Sequence, residues 1–181
     1  MNRASLIVVL AEDGRHQGFI RRCLYRLGYE NRLIRFAPLP GSRGCGEQWV
    51  REHFAAAVKE YRLRCARART ALIVAIDADT GEVDRRLRQL GEALAYAELS
   101  ARSDDETIVY LIPKRSIETW ILCLSGDPVD EKRDYSRESG IEERIAPAAA
   151  KFFEWSRPNA SPPEHCVSSL RAAIPEARRL E

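Results

Sequence analysis

Two aspartates one residue apart, Asp77 and Asp79, follow the apolar run ALIVAI at positions 71–76. In an extended chain, side chains at i and i+2 point to the same face, so we expect the two carboxylates to lie side by side. Like charges at that spacing repel, and one carboxylate must bind a proton unless a cation lies between them. Mg²⁺ or Mn²⁺ suits such a position, because these ions prefer carboxylate, water and phosphate oxygens as ligands.

Acidic residues also follow a second apolar run, SLIVVLA at positions 5–11, where Glu12 and Asp13 come next. Ligands of open α/β sheets bind at the carboxyl ends of the strands, so we expect these two acids to approach Asp77. Glu12 would then serve as a further metal ligand or as the general base of a reaction. Asp13 is an additional candidate for the same site.

A third apolar run, TIVYLI at positions 107–112, is followed by Lys114, Arg115 and Glu118. We expect the two basic side chains to contact phosphates of a nucleic acid, since both residue types bind phosphate. Glu118 is either an additional site residue or a solvated or salt-bridged position on its helix.

Helix capping is a structural alternative for some of these acids. Asp79 or Thr80 could cap the helix that follows them, and Asp13 could cap the first helix, because their side chains accept bonds from first-turn amides. Capping does not account for Asp77, which stands at the end of an apolar strand. Asp77 is therefore the first candidate for a functional residue.

Two further positions are candidate contacts to nucleic acid. The loop from Gly41 to Gly46 contains Arg43 and could bring backbone to a phosphate, or it could be a plain connection. It lacks the Gly-Lys-Ser/Thr ending of a P-loop. His16 lies one turn into the first predicted helix, where it could touch a phosphate or could be a surface residue; of the two, we expect the surface position.

Apolar runs alternate with helical patterns along the first 125 residues. Strands are predicted at 5–11, 32–38, 71–76 and 107–112, and helices at 14–27, 49–67, 81–97 and 115–124. This alternation predicts parallel strands joined by crossover helices, in a sheet covered on both faces. We therefore predict an α/β core over residues 1–125 with a mostly parallel four-stranded sheet flanked by helices.

Residues 126–181 begin with a polar, loop-like stretch and continue with helical patterns at 141–155 and 166–180. Because Phe152, Phe153 and Trp155 need burial, we expect this helical C-terminal extension to pack on the core.

The composition is that of a globular protein, with 45% hydrophobic and 31% charged residues among 181. No apolar run is long enough to span a membrane, and the first residues do not fit a signal peptide, so we expect a cytoplasmic protein without a membrane partner. Five scattered cysteines without CxxC spacing argue against a disulfide framework or a zinc site. The net charge of +2 does not by itself require a nucleic-acid partner. The excess of arginine over lysine fits phosphate contacts or a GC-rich genome.

These motifs resemble those of the Toprim superfamily. The chain is most similar to small stand-alone Toprim-like proteins of bacterial defence islands, related to overcoming-lysogenization-defect-type nucleases. The resemblance lies in LIVVLAEDG with Glu12, LIVAIDAD with the two aspartates, the loop GSRGCG and the segment PKRSIETW, over about residues 5–125. The glycine expected soon after Glu12 comes at Gly14, behind an inserted Asp13.

The resemblance implies a Rossmann-like Toprim fold and Mg²⁺- or Mn²⁺-dependent hydrolysis of phosphodiesters in DNA or RNA. It implies that Glu12 and Asp77 are catalytic, with Glu12 as general acid/base, and that Asp77 and Asp79 hold the metal. It also implies a role in anti-phage defence beside an ATPase or another protein subunit, and it leaves a homo-oligomer open.

Two other functions fit the same residues. The chain could be a catalytically inactive Toprim-fold partner or scaffold subunit of a larger complex. It could instead be a receiver-like signalling domain in which Asp77 accepts a phosphoryl group. The long interval between Asp13 and Asp77, and the absence of a Ser or Thr switch at the end of an intervening strand, argue against the receiver.

Overall fold

A computed structural model describes residues 3–41 and 46–181, and it confirms the predicted α/β fold class. Four strands form one all-parallel sheet in the order β2-β1-β3-β4. They are β1 (Leu6–Ala11), β2 (Ile34–Phe36), β3 (Thr70–Ala75) and β4 (Ile108–Leu111). The strand order and the crossover helices are those of a Rossmann-like fold.

Helices cover both faces of the sheet. They are α1 (Gly14–Arg26), α2 (Gly46–Cys65), α3 (Val83–Tyr96), α4 (Ile117–Leu124), α5 (Ile141–Ser156) and α6 (Ser168–Arg178). Alternate residues of β3 point to opposite faces, so Ile73 joins the core beneath α1, α4, α5 and α6, whereas Leu72 joins the core beneath α2 and α3. This two-sided burial explains the near-continuous apolar strands.

The bounds of α2, α4 and β2 differ from the predicted ones. α4 begins at Ile117 instead of residue 115, because Arg115 adopts a left-handed backbone with φ 73° that cannot belong to an α-helix. α2 begins earlier than predicted, at Gly46. Strand β2 is an edge strand of three residues, shorter than the predicted 32–38.

The C-terminal helices pack on the α/β core. Phe152 of α5 is buried, with its ring centroid 5.5 Å from that of Phe19 and 6.3 Å from that of Trp120. Phe153 and Trp155 are half-buried. Among the described residues, no helix is both long and apolar enough to cross a membrane.

The hydroxyl of Ser169 connects α6 to the segment that leads into α4. Ser169 Oγ accepts hydrogen bonds from Trp120 Nε1 at 2.7 Å and from the backbone N–H of Lys114 at 3.1 Å. Ser169 N–H in turn donates to Glu131 Oε1 at 2.7 Å. This serine therefore fixes the loop that follows β4.

We expect Ser169→Ala to lower the free energy of unfolding by about 2–3 kcal/mol, because two donors would lose their acceptor inside the protein. Urea denaturation of the purified variant measures the change. Ser168→Ala is the matched control, since Ser168 is exposed on the same turn and should change stability little. Equal unfolding curves for the two variants would contradict this role of Ser169.

Candidate functional site

The ends of β1 and β3 bring Glu12 and Asp77 together. Glu12 directly follows β1, and its backbone N–H donates to Ala75 O at 3.1 Å, which extends the parallel ladder. The side chain then turns toward the neighbouring strand, where Glu12 Oε2 accepts the backbone N–H of Asp77 at 2.9 Å. Two acids separated by 65 positions in sequence thus meet at the carboxyl edge of the sheet.

His16 lies inside this acidic cluster, with 1% of its surface exposed. Its Nδ1 is 2.9 Å from Asp13 Oδ1, and its Nε2 is 3.1 Å from Asp77 Oδ1. The predicted surface position of His16 is therefore wrong, because the residue is buried and both ring nitrogens are engaged inside the protein. In the sequence, the position of His16 three residues after a helix-capping aspartate could have indicated this contact.

Asp13 is the N-cap of α1, as the capping alternative predicted. Its side chain accepts the backbone N–H of His16 at 2.9 Å as well as bonding to the His16 ring. One carboxylate therefore starts the helix and orients the histidine that contacts Asp77.

Burial acts to raise the pKa of each of the three acids Glu12, Asp13 and Asp77, whereas the charge of His16 acts to lower it. Burial raises the pKa of Asp77 to about 6, although the charge and hydrogen bond of His16 oppose the shift. Burial, and then the charge of Asp77, raise the pKa of Glu12 to about 7. For Asp13 burial acts in the same direction, but the hydrogen bonds and charge of His16 outweigh it and lower the pKa to about 2.

The histidine itself carries a positive charge at neutral pH. Burial lowers its pKa, but the charges and hydrogen bonds of Asp77 and Asp13 outweigh burial and hold the pKa well above 6.5. His16 therefore supplies an internal cation between two carboxylates.

Asp79 does not follow Asp77 along an extended strand. β3 ends at Ala75, and Asp79 adopts a left-handed backbone with φ 53° and forms an isolated antiparallel bridge with Arg115. The prediction that i and i+2 spacing places both carboxylates on one face was therefore based on a wrong backbone conformation. Neither Asp79 nor Thr80 caps α3, whose N-cap is Glu82.

Arg86 is a buried cation that the sequence analysis missed. It is 6% exposed, donates from Nε to the backbone carbonyl of Asp77 at 3.0 Å, and forms an ion pair with Glu47. Its Nη2 is 3.4 Å from Asp79 Oδ2. Arg86 lies one turn before Leu90, and an arginine within an otherwise apolar helix stripe was the signal that could have found it.

Glu118 lies in the same region as a salt-bridged residue. It is 3% exposed and pairs with Arg15 Nη1, while Arg15 Nε bonds to Glu142 at 3.1 Å. Glu118 forms a buried ion pair that links α1, α4 and α5, and it also lines the cleft described below, so it fits both alternatives.

The basic residues that we predicted to contact nucleic acid lie in different surroundings. Lys114 Nζ lies 2.8 Å from both carboxylate oxygens of Glu82, so an ion pair occupies its side chain. Arg115 borders the cleft described next. Arg43 lies outside the described residues.

Gly46, which ends the glycine loop, packs directly on Glu12. A Cβ added at Gly46 would come within 2.4 Å of the backbone oxygen of Glu12. The glycine therefore allows the start of α2 to approach the Glu12 backbone closely.

An open cleft of about 370 Å³ lies beside these residues. Its lining includes Asp13, Arg15, Asp77, Asp79, Arg115 and Ser116. In the part of the chain that the structure describes, no group of three His, Cys, Asp or Glu side chains is arranged to hold a metal ion.

The donor set nevertheless suits a hard cation with few protein ligands. Mg²⁺ is commonly held by one or two carboxylates with water completing its shell. Glu12 and Asp77 are two neighbouring acids of this kind, and burial raises the pKa of each.

Comparison with known proteins gave no matching family model, no matching curated protein and no matching solved structure.

We expect the free energy of unfolding of the Glu12→Gln variant to depend less on pH than that of the wild type. Burial raises the pKa of Glu12 from 4.5 to about 7, so the folded state holds this proton more tightly than the unfolded chain. That stabilisation is fully present below pH 4.5 and is lost as the pH rises through about 7. We expect the unfolding free energy of the wild type to fall by about 2 kcal/mol relative to Glu12→Gln across this range.

Urea denaturation in EDTA, at a series of pH values from about 4 to about 8, measures this difference. Glu92→Gln is the control, since Glu92 is exposed on α3 and should leave the pH dependence unchanged. If Glu12→Gln and wild type lose stability in parallel, the Glu12 carboxyl does not hold its proton as described.

Proposed function

We propose that this protein is a Mg²⁺-dependent, Toprim-like nuclease that hydrolyses phosphodiester bonds of DNA or RNA. The observation that carries the proposal is the pairing of Glu12 and Asp77 at adjacent strand ends, beside an open cleft bordered by Arg115. Parallel α/β sheets bind their ligands at this edge. The motifs that resemble the Toprim superfamily contain the same residues.

Asp77 and Glu12 would hold the ion, with Asp79 at the rim of the cleft. A bound Mg²⁺ or Mn²⁺ would polarise a phosphoryl oxygen and offset charge that develops on it. Glu12 Oε2 is engaged by the Asp77 amide, so Oε1 is the atom that would accept a proton from an attacking water.

His16 and Arg86 would act as positioning residues in this scheme. His16 fixes Asp77 Oδ1, and Arg86 holds the backbone carbonyl of Asp77 from the opposite layer of the fold. Two helices therefore restrain the same residue, which limits the rotation of its carboxylate.

We also propose a cellular setting on the basis of the resemblance. The protein would act in the cytoplasm in anti-phage defence, together with an ATPase or another protein subunit. Its substrate would be supplied to the cleft by that partner or by direct binding of nucleic acid.

Replacing the paired acids should abolish cleavage. We expect Glu12→Gln and Asp77→Asn each to reduce the cleavage rate by about 100-fold or more, because each removes a charge needed for proton transfer or ion binding. The assay uses plasmid, single-stranded DNA and tRNA, with Mg²⁺ or Mn²⁺, alone and with a candidate ATPase.

The matched control for cleavage is Asp84→Asn, since Asp84 is an exposed acid in the first turn of α3. It should cleave like the wild type. Cleavage that persists in both Glu12→Gln and Asp77→Asn would show that the site has been assigned to the wrong residues.

One observation favours the second candidate function, an inactive partner or scaffold subunit. His16 already places a positive charge 3.1 Å from Asp77, which reduces the need for a metal ion. A scaffold would keep the fold and bind its partner without using the acids.

Thermal unfolding with and without Mg²⁺ separates the two functions. We expect Mg²⁺ to raise the melting temperature of the wild type by about 3 °C or more, because an ion that binds only the folded state stabilises it. The same ion should not stabilise Asp77→Asn. His16→Gln should show a larger Mg²⁺ effect than the wild type, because the internal cation is gone. A wild type insensitive to Mg²⁺, with partner binding unchanged by the acid substitutions, would favour the scaffold.

A further inference from the structure

Buried polar side-chain atoms without a partner are concentrated at one place in the fold. Among the described residues, the buried side-chain nitrogen and oxygen atoms that lack a hydrogen bond are Arg115 Nε, Ser116 Oγ and Thr119 Oγ1. All three fall at the start of α4. Buried polar groups are nearly always satisfied, so a cluster of this kind calls for a specific explanation.

Two of the three atoms belong to residues that line the cleft. Arg115 and Ser116 border the same space as Asp77 and Asp79, whereas Thr119 is fully buried and does not line it. Ser116 is 7% exposed, so its hydroxyl has little access to bulk water. Both residues therefore carry, in the wall of the cleft, a buried polar atom that the protein itself does not satisfy.

The backbone holds these two residues in a fixed arrangement. Arg115 is in the left-handed region with φ 73° and is bridged to Asp79. Lys114 N–H is anchored to Ser169 Oγ, and Ser116 N–H donates to Lys114 O at 3.1 Å. A residue of arginine's size in this backbone region is uncommon, and such strain concentrates at functional sites.

Ser116 occupies the N-cap of α4 without capping it. An N-cap serine usually accepts a bond from a first-turn amide, but the Ser116 side chain makes no such bond. Its hydroxyl therefore remains able to donate to a ligand, next to the positive end of the helix dipole.

The charges around these donors define the ligand that they would accept. An N–H and an O–H beside a guanidinium favour an oxyanion. Asp13, Asp77, Asp79 and Asp134 also line the cleft, while Glu118 is neutralised by Arg15. Carboxylates repel a dianionic free phosphate more strongly than a phosphodiester, which carries a single charge.

We propose that Arg115 Nε and Ser116 Oγ together bind one non-bridging oxygen of a nucleic-acid phosphodiester. This inference rests on the proposed function, because it places the substrate backbone against the cleft that Asp77 lines, and Asp77 contacts Glu12. Among the described residues, no ion pair within 4.0 Å involves Arg115, although its charge acts on the nearby carboxylates of Asp79 and Asp134.

Binding of a fluorescein-labelled single-stranded oligonucleotide, followed by fluorescence anisotropy, tests the proposal independently of cleavage. The parent protein carries Glu12→Gln, which keeps the oligonucleotide intact, and a gel checks its length. We expect Ser116→Ala to weaken binding about tenfold, since a hydrogen bond to a charged group is lost. Arg115→Gly should weaken it further and reduce the salt slope of binding by about one.

Glycine is the suitable replacement for Arg115, because it adopts the left-handed backbone readily. Ser168→Ala and Arg22→Ala are the matched controls, since both residues are exposed and lie outside the cleft lining. They should bind like the parent. Circular dichroism and urea denaturation confirm that each variant is folded.

Several outcomes would overturn the proposal. A parent that fails to bind the oligonucleotide would do so, as would unchanged binding by Ser116→Ala and Arg115→Gly. An effect of Arg115→Gly alone would indicate general charge attraction instead of a two-donor site. Competition by inorganic phosphate at equal concentration, lost in Ser116→Ala, would assign the site to free phosphate.

The cleavage assay and the binding assay can fail independently, so the nuclease and the phosphodiester site are tested separately. Loss of binding in Ser116→Ala, with a wild type that cleaves none of the substrates, would support the phosphodiester site and refute the nuclease. Cleavage by the wild type, with binding unaffected by either substitution, would support the nuclease and refute the phosphodiester site.

Discussion

The hydrogen bond from the Asp77 backbone N–H to Glu12 Oε2 holds two acids together at the carboxyl edge of the sheet. It connects the end of β1 to the end of β3, where the regular ladder stops. The acceptor is a buried carboxylate, so the bond favours the charged form of Glu12 while burial and Asp77 disfavour it. Burial prevails, and the pKa of Glu12 rises toward neutrality. The fold thereby creates an acid that can gain or lose a proton near physiological pH.

The cations that accompany these acids come from the helices. α1 supplies His16 to Asp77 and Arg15 to Glu118, while α3 supplies Arg86, which pairs with Glu47 and bonds the Asp77 carbonyl. Packing of the two helical layers therefore sets the charge balance of the cleft. Glu12 makes no ion pair within 4.0 Å among the described residues, which distinguishes it from Asp77 and Glu118.

The sequence predicted the parts of this arrangement that depend on local pattern. Alternating apolar runs and helical periods identified the parallel sheet, and strand-end chemistry identified the meeting of Glu12 and Asp77. The burial of His16 and the role of Arg86 depend on contacts between distant segments, which periodicity does not specify. The left-handed turn at Asp79 escaped prediction because aspartate adopts that backbone only when the surrounding structure favours it.

The isolated β-bridge between Asp79 and Arg115 affects the two segments that it joins. On one side, it turns Asp79 away from the extended path, so that its carboxylate approaches Arg86 instead of continuing the line of β3. On the other, it delays the start of α4 and leaves Arg115 and Ser116 at the cleft. The segment around Asp79 thus contributes acids, and the segment around Arg115 contributes hydrogen-bond donors. The backbone bridge joins the two segments. Under the proposed function, a phosphodiester accompanied by a metal ion would need both kinds of group, and the two segments together would supply them.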